Sequence, residues 1–269
     1  QTGAVWMIID FHTHAFPEKI VARAMESLIH KGGALVPFTD GTPAGLLQAM
    51  DRSGVDRAVV LNIATNAKQT QSVNNFAAGL DDRLIGFGSV YPGDIPYALE
   101  ELERIHQLGL KGIKLHPAYQ QFFVDDPKMA PIYQKAAALG LITVFHAGED
   151  IGYDLPVHCT PQRLARALEM AENWTVVAAH MGGYLLWHDV ERYLLGKNLY
   201  IDTSLAHGRL PAPQAKRMIR AHGADRVLLG SDCPWGFAKY EIGYIKSLGL
   251  EQQEQEQILG GNAMRLLGL

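Results

Sequence analysis

The pentapeptide Asp10-Phe11-His12-Thr13-His14 holds the first residues of the chain able to do chemistry. It closes the apolar run Val5-Trp6-Met7-Ile8-Ile9, which has the character of a buried strand. Residues two apart in a strand share a face, so His12 and His14 are expected side by side at the strand's C-terminal end. Two imidazoles so placed suit one divalent metal ion, although His-x-His pairs also arise by chance. Other apolar runs close in the same manner. "KGIKLHP" ends in Lys114 and His116, "LITVFHAG" in His146, "WTVVAAHMGG" in His180 and "RVLLGSDCP" in Asp232. Taken singly, a strand-end histidine reads more readily as a hydrogen-bonded core or rim residue, and Asp232 can be read as a turn or N-cap residue. Taken together, neutral imidazoles and a carboxylate are a set that Zn²⁺ and similar divalent metals accept. Burying so many polar strand ends is costly unless a metal or mutual hydrogen bonds satisfy them.

Positioning these groups on one rim requires a particular architecture. β-rich apolar runs recur at Val5 to Phe11, Arg57 to Ile63, Leu84 to Tyr91, Gly112 to His116, Leu141 to His146, Thr175 to His180, Leu199 to Thr203 and Arg226 to Ser231. Helical spacing fills the intervals. In Ile95 to Leu108, Ala98, Leu102 and Ile105 recur at i, i+4, i+7, and Glu100, Glu101, Glu103 and Arg104 are expected on the opposite face. Pro161 to Glu172 is a second helical segment, with Thr160 as N-cap. Gly109 and Gly140 stand where helices end. Strict β/α alternation implies a parallel sheet. Eight such units in 269 residues match a (β/α)₈ TIM barrel of the α/β class, a single domain over residues 1–269. An open doubly wound sheet usually carries a glycine-rich loop after its first strand, where this chain has "DFHTHAFPEK". In a barrel the C-terminal strand ends share one face, and catalytic residues gather there.

Composition narrows the function classes. Net charge is -4 with both signs interspersed, so no basic nucleic-acid surface or polybasic membrane patch is expected. The apolar runs are too short to span a bilayer, and no secretory signal is evident. Two cysteines, Cys159 and Cys233, make no disulfide framework. A reduced, cytoplasmic protein is expected, with Met7 a candidate native start. The polar run Glu251 to Gln257 reads as a solvated helix face.

"DFHTH", "GIKLHP", "FHAG", "AHMGG", "YIDTS", "GSDCPW" and "GNAMRLL" together resemble the amidohydrolase superfamily. The branch is the one that includes aminocarboxymuconate-semialdehyde decarboxylase. The resemblance covers nearly the whole chain. It implies one divalent metal held by His12, His14, His146 and Asp232, with zinc first and manganese or iron(II) as alternatives. It also implies that His180 positions or deprotonates a metal-bound water. Asp232 would act as both ligand and proton acceptor. In binuclear relatives a carbamylated strand-four lysine bridges two metals; for Lys114 a substrate-anion contact or buried ion pair is the preferred reading. Family habit implies a homodimer.

Lys114, His116, Tyr153 and Trp235 are the candidate substrate contacts. The long segment after the fifth strand also holds Glu149, Asp150 and His158. Phe16 and Trp187, with Trp235, are candidates for an apolar wall, and Arg209 for a cation. The expected function is hydrolysis of a small-molecule amide, ester or lactone. The alternative at the same metal site is non-oxidative decarboxylation of an aromatic or unsaturated carboxylic acid. A barrel that only binds metal or ligand is a third reading.

Overall fold

The computed structural model describes residues 6–33 and 36–269. The chain runs β1 (Ile9–Thr13), α1 (Val21–Lys31), α2 (Pro43–Ser53), β2 (Arg57–Leu61), α3 (Ala67–Ala78), β3 (Leu84–Phe87), α4 (Ile95–Gln107), β4 (Gly112–Leu115) and α5 (Ala130–Ala138). It continues β5 (Ile142–Phe145), α6 (Pro161–Ala167), β6 (Val176–Ala178), α7 (Trp187–Tyr193), β7 (Tyr200–Asp202), α8 (Ala212–His222), β8 (Val227–Leu228), α9 (Ala238–Ser247), α10 (Gln252–Glu256) and α11 (Asn262–Leu267). All strand pairs are parallel and sequential, in the ladders β1-β2-β3 and β4-β5-β6-β7-β8. Two seams close them into a barrel. Gly88 bridges Ile113, and Thr13 bridges Cys233. At the second seam the Phe11 N–H donates to Leu229 O and the Asp232 N–H to His12 O, both at 2.7 Å.

Strands β2 to β8 are each shorter than their apolar runs, whose last residues leave the ladder to form the rim, whereas β1 runs past its own to Thr13. The first run shifts most: Val5 lies outside the described residues, and the strand begins at Ile9 and includes His12. Helix α4 matches its periodicity, with Ala98, Leu102 and Ile105 buried. Glu101 departs from expectation. It is 2% exposed, not on the solvent face, and accepts from Asn74 Nδ2 at 3.0 Å. Three positions after Ala98, it shares that helix face. Thr160 caps α6 through the Arg163 N–H, but the α-helix stops at Ala167 and a 3₁₀ turn, Leu168–Met170, follows.

Two apolar layers surround the sheet. The outer layer packs Val60, Ile113, Leu115, Phe145 and Ile201 against helix residues such as Met50, Leu102 and Ile132. The inner layer fills the barrel with Ile9, Phe11, Val59, Leu61, Phe87, Val144, Val177 and Leu228. Ala263 and Leu267 of α11 join that inner cluster. This apolar plug confines polar chemistry to the C-terminal mouth.

In β1 the strand alternation is deliberately broken. Asp10 pairs Ala58 and Thr13 pairs Val60, so three steps on β1 match two on β2. This bulge lets Phe11 fill the barrel while His12 and His14 both turn into its mouth. Asp10 accepts the His12 N–H at 3.2 Å, together with the Ser231 N–H at 2.9 Å and the Ser231 hydroxyl at 2.5 Å. Burial pushes the Asp10 carboxyl up to about 7, against the opposing pull of these hydrogen bonds.

Candidate metal centre and active site

His12, His14 and Asp232 form one group at the mouth. Asp232 Oδ1 lies 2.9 Å from His14 Nε2 and 3.3 Å from His12 Nε2. The far nitrogens are taken by acceptors. His12 Nδ1 donates to Asp202 Oδ2 at 2.8 Å, and His14 Nδ1 donates to Leu61 O at 2.7 Å. When each ring is neutral, with its one proton on Nδ1, Nε2 is left with its lone pair facing Asp232. Converging lone pairs and a carboxylate are the surroundings of a cation. Outer acceptors that fix the tautomer are the usual companions of metal-binding histidines. The residues present therefore fit a divalent metal. Gly230 makes room for this: a Cβ there would lie 2.9 Å from His12 Cβ and 3.1 Å from Asp202 Cγ.

His146 and His180 continue the pattern. His146 Nε2 donates to Glu149 O at 3.1 Å, with Asp150 Oδ2 at 3.6 Å. The Ser204 hydroxyl donates to Asp202 Oδ1, and His180 Nδ1 faces Ser204 Oγ at 2.8 Å and Ser204 O at 3.3 Å. His146 Nδ1 and His180 Nε2 then face each other, lone pairs inward, at 3.2 Å. The His180 and His12 ring centroids are 5.1 Å apart.

The metal set implied by the resemblance is thus drawn together unevenly. His12, His14 and Asp232 have ligand atoms mutually within 4.8 Å, whereas His146 falls in a neighbouring group with His116 and Asp150. His116 there is hydrogen-bonded at both nitrogens, to Asp150 Oδ2 at 3.2 Å and to the Tyr119 N–H at 3.3 Å. Its rings stack on both sides, on His146 at 4.1 Å and on Tyr119 at 3.8 Å. Tyr153 extends the stack from Tyr119 at 4.8 Å, under the Lys31 ammonium.

Burial sets the protonation states. It pushes His116 and His146 down to about 3 and His180 down to about 4, and it also lowers His14. For His12, burial and the Lys114 charge push down, but the Asp202 and Asp232 carboxylates outweigh them and raise it. Burial also opposes the ionisation of Asp232, yet His12 and His14 hold its carboxyl well below the usual range. Lys114 is 1% exposed, with Nζ 3.4 Å from His12 Nε2, and burial draws it down to about 8.

Other candidates sit farther out. Trp235 follows Asp232, donating its N–H to Asp232 O at 2.8 Å, and is half-buried. Trp187 Nε1 donates to His180 O at 3.1 Å. Arg209 is exposed, 6.0 Å above the Tyr184 ring. His158 packs edge-on to Phe123. Cys233 is buried, and burial pushes its thiol up to about 12. Asp202 and Ser204 escaped selection from sequence, because single polar residues at strand ends carry no spacing signal; Asp150 was named only as one of the polar residues after the fifth strand. The motif "YIDTS" held the only trace of two of them.

Residues 9–269 match the model of the amidohydrolase family. The chain belongs to that family. Among curated amidohydrolase relatives, the 2-amino-3-carboxymuconate-6-semialdehyde decarboxylase of Dictyostelium discoideum is 27% identical over 226 residues. That match spans 70% of this chain and 62% of the relative. A solved TIM-barrel protein of uncharacterised function from Bordetella bronchiseptica superposes with a TM-score of 0.76 at 22% identity, over 97% of this chain and 98% of that one. The 5-carboxyvanillate decarboxylase of Novosphingobium aromaticivorans, complexed with manganese and 4-hydroxy-3-methoxy-5-nitrobenzoic acid, gives 0.73 at 17% identity, over 100% and 98%. These likenesses agree with the barrel built here from strand order and seams. Among the described residues no helix is long and apolar enough to cross a membrane.

Proposed function

We propose that this amidohydrolase-family protein is a metal-dependent, non-oxidative decarboxylase of an aromatic or unsaturated carboxylic acid. The observation that carries the reading is the buried Lys114 ammonium beside the His12–His14–Asp232 group, a cation placed to receive a carboxylate. Two of the relatives above are decarboxylases of such acids, which supports this choice over hydrolysis.

His12, His14 and Asp232 would hold the metal, with His146 the fourth donor through Nδ1. When bound, the metal supplies Lewis-acid charge that anchors and polarises an anionic substrate. Zinc suits the donor set; manganese is the metal of the Novosphingobium relative. Lys114 holds the substrate carboxylate. The carbon–carboxyl bond breaks, CO₂ leaves, and the electron pair stays on carbon, which takes up a proton. That proton comes from water, and His180 is the residue placed to relay it, because its neutral ring keeps an Nε2 lone pair beside His146 while Ser204 occupies Nδ1. The stack of His116, Tyr119 and Tyr153, with Trp235, offers flat surfaces to an unsaturated acid.

Hydrolysis of an amide, ester or lactone is the second reading. It is favoured by the same Asp232 and His180, an ionised carboxylate and a neutral imidazole able to take a proton from water. A panel of aromatic and unsaturated acids assayed for CO₂ release, beside esters, lactones and amides, decides between them. The decarboxylase reading expects CO₂ from at least one acid, abolished by Lys114→Met. Turnover confined to esters, lactones or amides would replace it with the hydrolase.

A further inference from the structure

Asp202 lies on β7 and is fully buried, and both carboxylate oxygens and its backbone carbonyl accept hydrogen bonds. Its Oδ2 accepts from His12 Nδ1 at 2.8 Å. Its Oδ1 accepts the His180 N–H at 3.1 Å, the Ser204 N–H at 3.0 Å and the Ser204 hydroxyl. Its backbone carbonyl takes the Met181 N–H at 2.6 Å. These last contacts grip a strained turn. His180 and Met181 are consecutive left-handed residues, at φ 58° and 56°, and neither is glycine. Such a conformation is costly for a residue other than glycine and persists only where its surroundings enforce it. Ser204 Oγ meanwhile stands 2.8 Å from His180 Nδ1 and 3.2 Å from His12 Nδ1.

We propose that Asp202 is the positioning residue that sets His12 and His180 together. One oxygen fixes the His12 proton on Nδ1, and the other clamps the left-handed turn that aims His180, with Ser204 relaying the order to the His180 ring. The inference rests on the metal-centred reading, since it explains why His12 turns Nε2 toward Asp232 and His180 turns Nε2 toward His146 Nδ1. An amide cannot replace the carboxylate: it offers a single oxygen, and its NH₂ would confront donors already present.

The test records ¹⁵N-histidine NMR spectra of metal-free wild type, Asp202→Asn and Ser204→Ala, then measures Zn²⁺ affinity of each by chelator competition. At a pH above the raised pKa of His12, wild type should show His12 and His180 each as a single tautomer protonated at Nδ1. In Asp202→Asn both signals should move toward mixed tautomers, and Zn²⁺ affinity should fall about 10–100-fold, the usual scale for losing an outer partner of a metal-binding histidine. Ser204→Ala should disturb only the His180 signal and keep affinity near wild type. An Asp202→Asn protein that loses thermal stability yet keeps both tautomers and wild-type affinity would reduce Asp202 to a packing role. If that variant does not fold, Ser204→Ala decides alone, and an unchanged His180 signal overturns the proposal. Wild type that binds no Zn²⁺ but shows the ordered tautomers would reject the metal reading while leaving the positioning role intact.

Discussion

Asp232 is asked to serve as both ligand and proton acceptor, and its geometry allows the two to be separated. Its Oδ1 alone approaches His12 and His14. Asp232→Asn keeps an oxygen donor but removes charge and basicity. It should bind metal more weakly, refill when metal is in excess, and stay inactive after refilling. Metal titration beside turnover checks this, and recovery of near wild-type turnover on refilling would leave Asp232 only a ligand. His180→Ala should retain most of the metal and lose about 10²-fold or more in turnover, the scale of a lost general acid or base. A His180→Ala protein that cannot be loaded would make His180 an essential ligand. At this scale the strand-end histidines were legible because each closes an apolar run. Asp202 was not, because its partner His12 is 190 residues away in sequence and nothing local announces the contact. The neighbouring placement of His146 was equally illegible, since it depends on which way one ring turns toward Glu149.

Strand β1 shows how an element re-aims residues that simple alternation would separate. Without the bulge, Phe11 and His12 would face opposite sides of the sheet. Asp10 stabilises the bulge by receiving the three donors of His12 and Ser231. Asp10→Ala orphans buried donors and should lower stability by about 2–3 kcal/mol, measured by denaturant unfolding. An unchanged midpoint would mean that the bulge holds itself. Asp125 ties the segment after β4 to α6, accepting from Arg163 Nη1 at 2.6 Å and Arg166 Nη2 at 2.6 Å. Burial raises its carboxyl pKa, but the two arginines outweigh burial and hold it below the usual range. A folded-state pKa below the unfolded value stabilises above the unfolded value, about 3.9, and the gain fades as pH falls through the folded one. Asp125→Asn should therefore lower Tm near neutral pH, by up to about 1 kcal/mol in stability, with the gap to wild type closing below about pH 4. A gap independent of pH would show that the ion pairs contribute nothing. The periodicity of α4 was legible, but the bulge was not: one extra residue leaves the apolar pattern of β1 unchanged and appears only against β2.

Across the whole molecule, the barrel was legible because eight apolar runs alternate with helical spacing, and parallel strands linked by helices have few ways to close. The packing of α11 into the barrel's inner layer was not legible, because nothing local in "GNAMRLL" says which face of the barrel it covers. Leu267 is 3% exposed within that inner cluster. Leu267→Ala should cost about 2–5 kcal/mol in unfolding free energy while leaving metal content unchanged, since the two ends of the barrel are separated by packed side chains. Loss of metal in that variant would show that the two ends are coupled. One divalent metal is expected at the C-terminal mouth, held among His12, His14 and Asp232. Elemental analysis of purified, metal-loaded protein tests it most directly. About one Zn²⁺ or Mn²⁺ per chain is expected in wild type and almost none in His14→Ala. Wild-type protein that retains no metal after loading, or His14→Ala protein that retains a full equivalent, would contradict it.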